Sequence, residues 1–132
     1  MQQQIVMIDD NALDHLIVKR ICEREGLFQK MQHIENAQDL LDALKTDGNN
    51  ITHVPDIILL DLQMPKVSGW DFLECLKLIY QQIGKKIDVH ILSSSICMLD
   101  QERSMNYPFV KNYLVKPMTG GKLRQLHADY CN

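Results

Sequence analysis

The stretch Asp56-Ile57-Ile58-Leu59-Leu60-Asp61-Leu62-Gln63-Met64-Pro65 decides how the chain reads. Ile57 to Leu60 form an apolar block too short for a helix and without period-two alternation, the pattern of a strand buried on both faces. Asp61 then stands at the carboxyl end of a central strand, the edge at which open α/β sheets bind ligands. Pro65 disfavours helix at Met64, and Lys66-Val67-Ser68-Gly69 supplies a loop before the next helix.

The same grammar extends in both directions. Ile5 to Ile8 make a second continuous apolar run, and it too ends in acid, Asp9-Asp10-Asn11. Asn11 suits an N-cap for a helix through Glu25 with Leu13, Leu16, Ile17 and Ile21 at helical spacing and Gly26 as its stop. Phe28 to Ile34 read as a more polar edge strand, Ala37 to Lys45 as a short helix, and Asp47-Gly48-Asn49-Asn50 as a loop. Beyond Gly69, residues Phe72, Leu73, Leu76, Ile79, Tyr80 and Ile83 follow helical spacing until Gly84. Ile87 to Leu92 predict a fourth strand running into Ser93-Ser94-Ser95, and Met98 to Met105 a less regular helix broken at Tyr107-Pro108. Phe109 to Val115 predict a fifth strand ending at Lys116-Pro117, and Thr119 can cap a last helix carrying Leu123, Leu126 and Tyr130 inward. Strands alternating with helices predict an α/β fold, a five-stranded parallel sheet covered by helices on both faces.

Composition narrows the function. A chain of 132 residues with 45% apolar content fits one domain, 1–132, with a genuine core. A net charge of −3 and the lack of a basic run argue against direct nucleic-acid binding. With no basic n-region and no apolar run of membrane-spanning length, the expectation is a cytoplasmic protein away from the membrane. Cys22, Cys75, Cys97 and Cys131 form no C-x-x-C pair and read as reduced packing thiols. The five histidines show no ligand spacing, and Trp70 reads as packed helix surface.

A parallel sheet brings Asp9-Asp10, Asp61, Ser93-Ser94 and Lys116 to one edge. An isolated Asp at a strand end is most often a turn or cap residue, and an isolated Lys or Ser there is unremarkable; the joint pattern is what points to chemistry. Two like charges about 4 Å apart at an effective dielectric of 20 repel by roughly 4 kcal/mol, so one lysine cannot settle three carboxylates. A divalent cation can, and oxygen-only ligands with room for water suit Mg2+ beside a phosphoryl group. Asp61 is best placed as a carboxylate nucleophile toward phosphorus, with Lys116 and the Ser93 hydroxyl as partners of the equatorial oxygens.

The acid pair Asp9-Asp10, the Asp61-Leu62-Gln63-Met64-Pro65 block with Gly69, Leu92-Ser93-Ser94 and Lys116-Pro117 together resemble the receiver domains of two-component response regulators, over essentially the whole chain. The resemblance implies the strand order 2-1-3-4-5 and a phosphoryl group passed to Asp61 from a sensor histidine kinase or histidine phosphotransfer protein. It implies that Asp10 and Asp61 hold Mg2+ with the Gln63 backbone carbonyl while Asp9 assists through water. It further implies a cis Lys116-Pro117 bond, Lys116 against the phosphoryl group, and Ser93 and Tyr113 as switch residues, although pattern alone reads Tyr113 as a packed strand residue. Gln63 and Ser94 fall where the family varies and where the lifetime of the phosphoryl group is influenced. Such a domain is no enzyme beyond its own phosphorylation and dephosphorylation.

Three alternatives compete. A phosphatase of the haloacid dehalogenase type needs a second Asp where this chain has Gln63, and a flavodoxin-like nucleotide binder needs a glycine- or hydroxyl-rich loop where it has Asp9-Asp10-Asn11. A degenerate receiver, an interaction module that is never phosphorylated, is opposed by retention of every acid and of Lys116. With no output domain after the last helix, the expected output is a phosphoryl relay or a protein target on the face of the fourth helix, fifth strand and fifth helix.

Overall fold

The computed structural model describes residues 3–47 and 54–130. The elements run β1 (Ile5–Ile8), α1 (Ala12–Glu25), β2 (Gln32–Ile34), α2 (Ala37–Asp47), β3 (Ile57–Asp61), α3 (Gly69–Ile79), β4 (Asp88–Ser93), α4 (Met98–Ser104), β5 (Val110–Val115) and α5 (Gly120–Tyr130). All strand pairings are parallel, in the order β2-β1-β3-β4-β5, as expected. Beyond Asp47, the expected loop Asp47-Gly48-Asn49-Asn50 lies outside the described residues, as do His53 and Cys131.

Alternate side chains of the apolar strands serve two separate cores. Val6, Ile8, Ile58 and Leu60 pack with Leu41 and Leu44 of α2 and Phe72, Leu73 and Leu76 of α3. Ile5, Met7, Ile57 and Leu59 pack on the other face with Val18 and Cys22 of α1 and Leu123 and Leu126 of α5. Each fully buried aliphatic side chain contributes about 2 kcal/mol of transfer free energy, so this double-sided burial holds the central strands rigid beneath their acidic ends.

Several expectations shift. In α1 the Asn11 side chain accepts from the Leu13 N–H and Gly26 ends the helix at φ 69°, as expected. The buried stripe, however, is His15, Val18 and Cys22, while Leu13 and Leu16 are 61% and 44% exposed. Polar anchors set this phase: His15 Nε2 donates to the Asp9 carbonyl at 2.7 Å, and Asp14 reaches Lys116 across the sheet edge. The edge strand is shorter than Phe28–Ile34 because Phe28 takes φ 43° in a turn closed by Met31 N–H to Phe28 C=O at 3.0 Å. The third helix ends at Ile79 and tightens to a 3₁₀ turn over Tyr80–Gln82; the Tyr80 hydroxyl then brackets the Ile87 backbone, so β4 starts at Asp88. Cys97 is exposed rather than packed, whereas Cys22 is buried, which pushes its thiol up to about 11.

His90, in the middle of β4, is buried among polar partners. The Tyr130 hydroxyl donates to Asp88 Oδ2 at 2.8 Å, so His90 Nε2, 2.6 Å away, donates to Tyr130, and Nδ1 accepts from Asn112 Nδ2 at 3.1 Å. Burial lowers its pKa to about 4, outweighing the upward pull of Asp88 and Asp129. A histidine whose folded pKa lies below its unfolded value of about 6.5 contributes stability above that value and loses it as pH falls toward the folded pKa. The expected loss is about 3 kcal/mol between pH 6.5 and 4. Urea denaturation across that window should show a markedly smaller loss in His90→Gln; an identical acid limb in the variant would contradict the neutral, buried assignment.

Candidate functional site at the carboxyl edge of the sheet

Asp9 follows the last residue of β1, Asp61 and Ser93 are the last residues of β3 and β4, and Lys116 follows β5. Parallel pairing puts all of them at one edge, and the Lys116 N–H donates to the Ser93 carbonyl at 2.8 Å. The Lys116-Pro117 bond is cis, as expected.

Carboxylate oxygens of Asp9, Asp10 and Asp61 lie within 4.8 Å of one another. Asp9 and Asp61 are buried and Asp10 is exposed at the mouth. Backbone amides orient two of the acids: the Asn11 N–H donates to Asp9 Oδ1 at 2.9 Å and the Gln63 N–H to Asp61 Oδ1 at 3.2 Å. Lys116 Nζ stands 2.9 Å from Asp9 Oδ2 and 3.5 Å from Asp61 Oδ1. Burial, then the charge of Asp9, pushes Asp61 up to about 6, with Lys116 and the Gln63 amide pulling the other way. Burial works against the charge on Lys116, yet its contacts with Asp14 and Asp9 raise its pKa above the usual lysine value. Three hard oxygen donors that crowd one another, served by one lysine, fit a divalent metal ion.

Over these groups opens a cavity of about 420 Å³ lined by Asp10, Asn11, Asp14, Asp61, Gln63, Ser94, Lys116 and Pro117. Asp14 was not among the residues singled out from sequence, yet its Oδ2 is 2.8 Å from Lys116 Nζ. The available signal was weak: an acid in the first turn of a helix that begins at the site.

One wall of the site is the β4–α4 loop. Ser93 Oγ accepts from the Ser95 N–H at 3.1 Å, and the Ser95 carbonyl accepts from the Tyr113 hydroxyl at 2.9 Å. Ser95 Oγ donates to Asp100 Oδ2 at 2.9 Å and accepts from the Cys97 N–H, which anchors the start of α4. Ser95 was missed because a run of three serines gives no hint which one holds Asp100 and the Cys97 N–H. Ser94 Oγ approaches Gln63 Oε1 at 3.5 Å across the cavity mouth. Trp70 lies under the Arg103 guanidinium, 4.1 Å from the ring centroid, so it serves as packed helix surface.

Comparison with known proteins agrees with this geometry. Residues 5–128 match the family model of the response regulator receiver domain. The chain is 27% identical over 121 residues to a probable methanogenesis regulatory protein, FilR2, of Methanothrix harundinacea, covering 92% of this chain and 76% of that one. It is 24% identical to the sensory/regulatory protein RpfC of Xanthomonas campestris, of whose length it spans only 16%. Its fold superposes on a two-component response regulator from Cytophaga hutchinsonii with a TM-score of 0.81 at 25% identity, covering 96% of this chain and 94% of the other. A match that runs from the first residue of β1 into the last turns of α5 leaves one assignment: the chain belongs to the response regulator receiver family.

Proposed function

We propose that Asp61 accepts a phosphoryl group from the phosphohistidine of a sensor histidine kinase or histidine phosphotransfer protein, in the cytoplasm, with Mg2+ held by Asp9, Asp10, Asp61 and the Gln63 backbone carbonyl. The observation that carries this reading is the convergence of three carboxylates on 4.8 Å beside Lys116, with Asp61 the one that ends the central strand. An Asp61 carboxylate oxygen forms the new O–P bond while the P–N bond to the donor imidazole breaks; the electron pair leaves with the imidazole, which takes up a proton. Lys116 Nζ, 3.5 Å from Asp61 Oδ1, offers its ammonium to the incoming equatorial oxygens, and the Ser93 hydroxyl offers a hydrogen bond. Mg2+ supplies charge neutralisation for the acids and the phosphoryl oxygens.

Mg2+ should stabilise the unphosphorylated protein, because it relieves repulsion among Asp9, Asp10 and Asp61; by linkage the gain is about 2.7 kcal/mol at a hundredfold excess over the dissociation constant. Asp10→Asn, at an exposed position, should fold normally and lose most of the Mg2+-dependent rise in melting temperature. An undiminished rise would remove Asp10 from the ligand set.

The output follows from the Ser93–Ser95–Tyr113 chain of hydrogen bonds. Drawn toward a phosphoryl group on Asp61, Ser93 gives up the Ser95 N–H, Ser95 shifts, and its bond to Tyr113 and its hold on the start of α4 change with it. Tyr113 is already half-buried and bonded to this loop, so the expected change is remaking of that bond rather than a swing from solvent. The readout is then the α4–β5–α5 face, presented to a downstream protein; Ile96, Met98 and Leu99, at and just before the start of α4, are exposed. One hydrogen bond to a charged acceptor supplies roughly 1.5–3 kcal/mol, short of the about 5.5 kcal/mol needed to invert a 99:1 equilibrium, so the shift should be partial. Ser93→Ala should still be phosphorylated but lose most of the NMR shift changes at Tyr113 and α4 on beryllofluoride addition. Wild-type shifts in that variant would show that the hydroxyl is not the trigger.

A further inference from the structure

Lys116 is held by an acid that belongs to neither the metal cluster nor the phosphoacceptor. Its ammonium makes its shortest contact with Asp14 Oδ2, at 2.8 Å, ahead of Asp9 Oδ2 at 2.9 Å and Asp61 Oδ1 at 3.5 Å. Asp14 stands in the first turn of α1, capped by Asn11, and its carboxylate lines the same cavity as Asp61. Oxygen atoms close enough to share a cation come from Asp9, Asp10 and Asp61, and Asp14 is not of that group. When a divalent ion settles those three, Asp14 is, among the described residues, the carboxylate left to compete for the lysine.

We propose that Asp14 is a positioning residue that restrains phosphorylation: it draws the Lys116 ammonium toward α1 and the cavity mouth, and a phosphoryl group arriving at Asp61 must win the lysine from it. The proposal rests on Asp61 as phosphoacceptor. An ammonium has three N–H donors, and two already point at Asp14 and Asp9. Only the remaining one is available to a phosphoryl oxygen until a partner is released. Asp14 also sets a fixed negative charge beside the path of any anionic donor, which slows small donors such as acyl phosphates. A protein donor whose own cation covers Asp14 on docking would lift both restraints together, so Asp14 sets a preference for protein donors over small ones.

The test is the rate of phosphorylation by acetyl phosphate with Mg2+, followed by intact-protein mass spectrometry, for wild type, Asp14→Asn, Asp14→Glu and Asp61→Asn. Asp61 attacks phosphorus, the bond to the acetyl oxygen breaks, and acetate leaves with the electron pair. Asp14→Asn should be labelled about three- to tenfold faster than wild type at low salt, and at least half of that gain should persist at high salt, because a pair in contact is screened far less than a distant charge. Asp14→Glu should return the rate toward wild type. A purely structural role would leave wild type fastest. Equal or slower labelling of Asp14→Asn overturns the proposal, and so does a gain that vanishes in salt, which would reduce Asp14 to long-range repulsion. Label on Asp61→Asn equal to wild type would instead overturn the phosphoacceptor assignment, and this proposal with it.

Discussion

Asp61→Asn is expected to abolish phosphorylation and, at the same time, to make the metal-free protein more stable. Both effects come from one feature, a carboxylate buried beside Asp9 and pushed up to about 6. A carboxyl whose folded pKa exceeds its unfolded value of about 3.9 costs stability when ionised, and that cost is present above the folded pKa and relieved as pH falls toward the unfolded one. The full shift would correspond to about 3 kcal/mol near pH 7; the cavity mouth is open to solvent, so about 1–2 kcal/mol is the expected gain, or roughly 5 °C in melting temperature. An Asn can still accept from the Gln63 N–H, and it gives up only the 3.5 Å pair with Lys116. A melting temperature lower than wild type, measured without metal, would contradict the picture of mutually repelling acids.

Gly69→Ala is expected to damage stability more than any single surface change. Gly69 is buried at the start of α3, where a Cβ would lie 2.5 Å from Leu62 Cα and 2.6 Å from the Asp61 carbonyl oxygen. These are backbone atoms, which cannot rotate aside. The Gly69 N–H also donates to the Leu62 carbonyl at 3.0 Å, so the helix start is tied to the residue after Asp61. Methyl insertion must push α3 off the end of β3, at about 3 kcal/mol, the upper part of the usual cost of overpacking. Because the displaced atoms belong to Asp61 and Leu62, the variant should also be labelled more slowly by acetyl phosphate even where it remains folded. A Gly69→Ala protein with wild-type denaturation midpoint and labelling rate would show that the close approach is absent in solution.

What could be read from sequence follows from which forces were strong and local. The apolar runs at Ile5–Ile8 and Ile57–Leu60 could only be doubly buried strands, and the acids that end them had nowhere to go but the sheet edge. Strand order, by contrast, came from family resemblance, since side-chain pattern does not say which strand lies beside which. The phase of α1 does not follow from leucine spacing, because hydrogen bonds from His15 to the Asp9 carbonyl and from Lys116 to Asp14 turn the helix to bury His15, Val18 and Cys22. Asp14 and Ser95 act through partners about 100 and 18 residues away, contacts that no local pattern encodes.

The most direct measurement of the central claim is to locate the phosphoryl group chemically. After reaction with acetyl phosphate and Mg2+, borohydride reduces an aspartyl phosphate to homoserine, and peptide mass spectrometry then reads the position. Homoserine is expected at position 61 alone, and none without donor or without Mg2+. Homoserine at position 9, 10 or 14, or a phosphoryl group on Ser93 or Ser94 that survives hydroxylamine and borohydride, would contradict it.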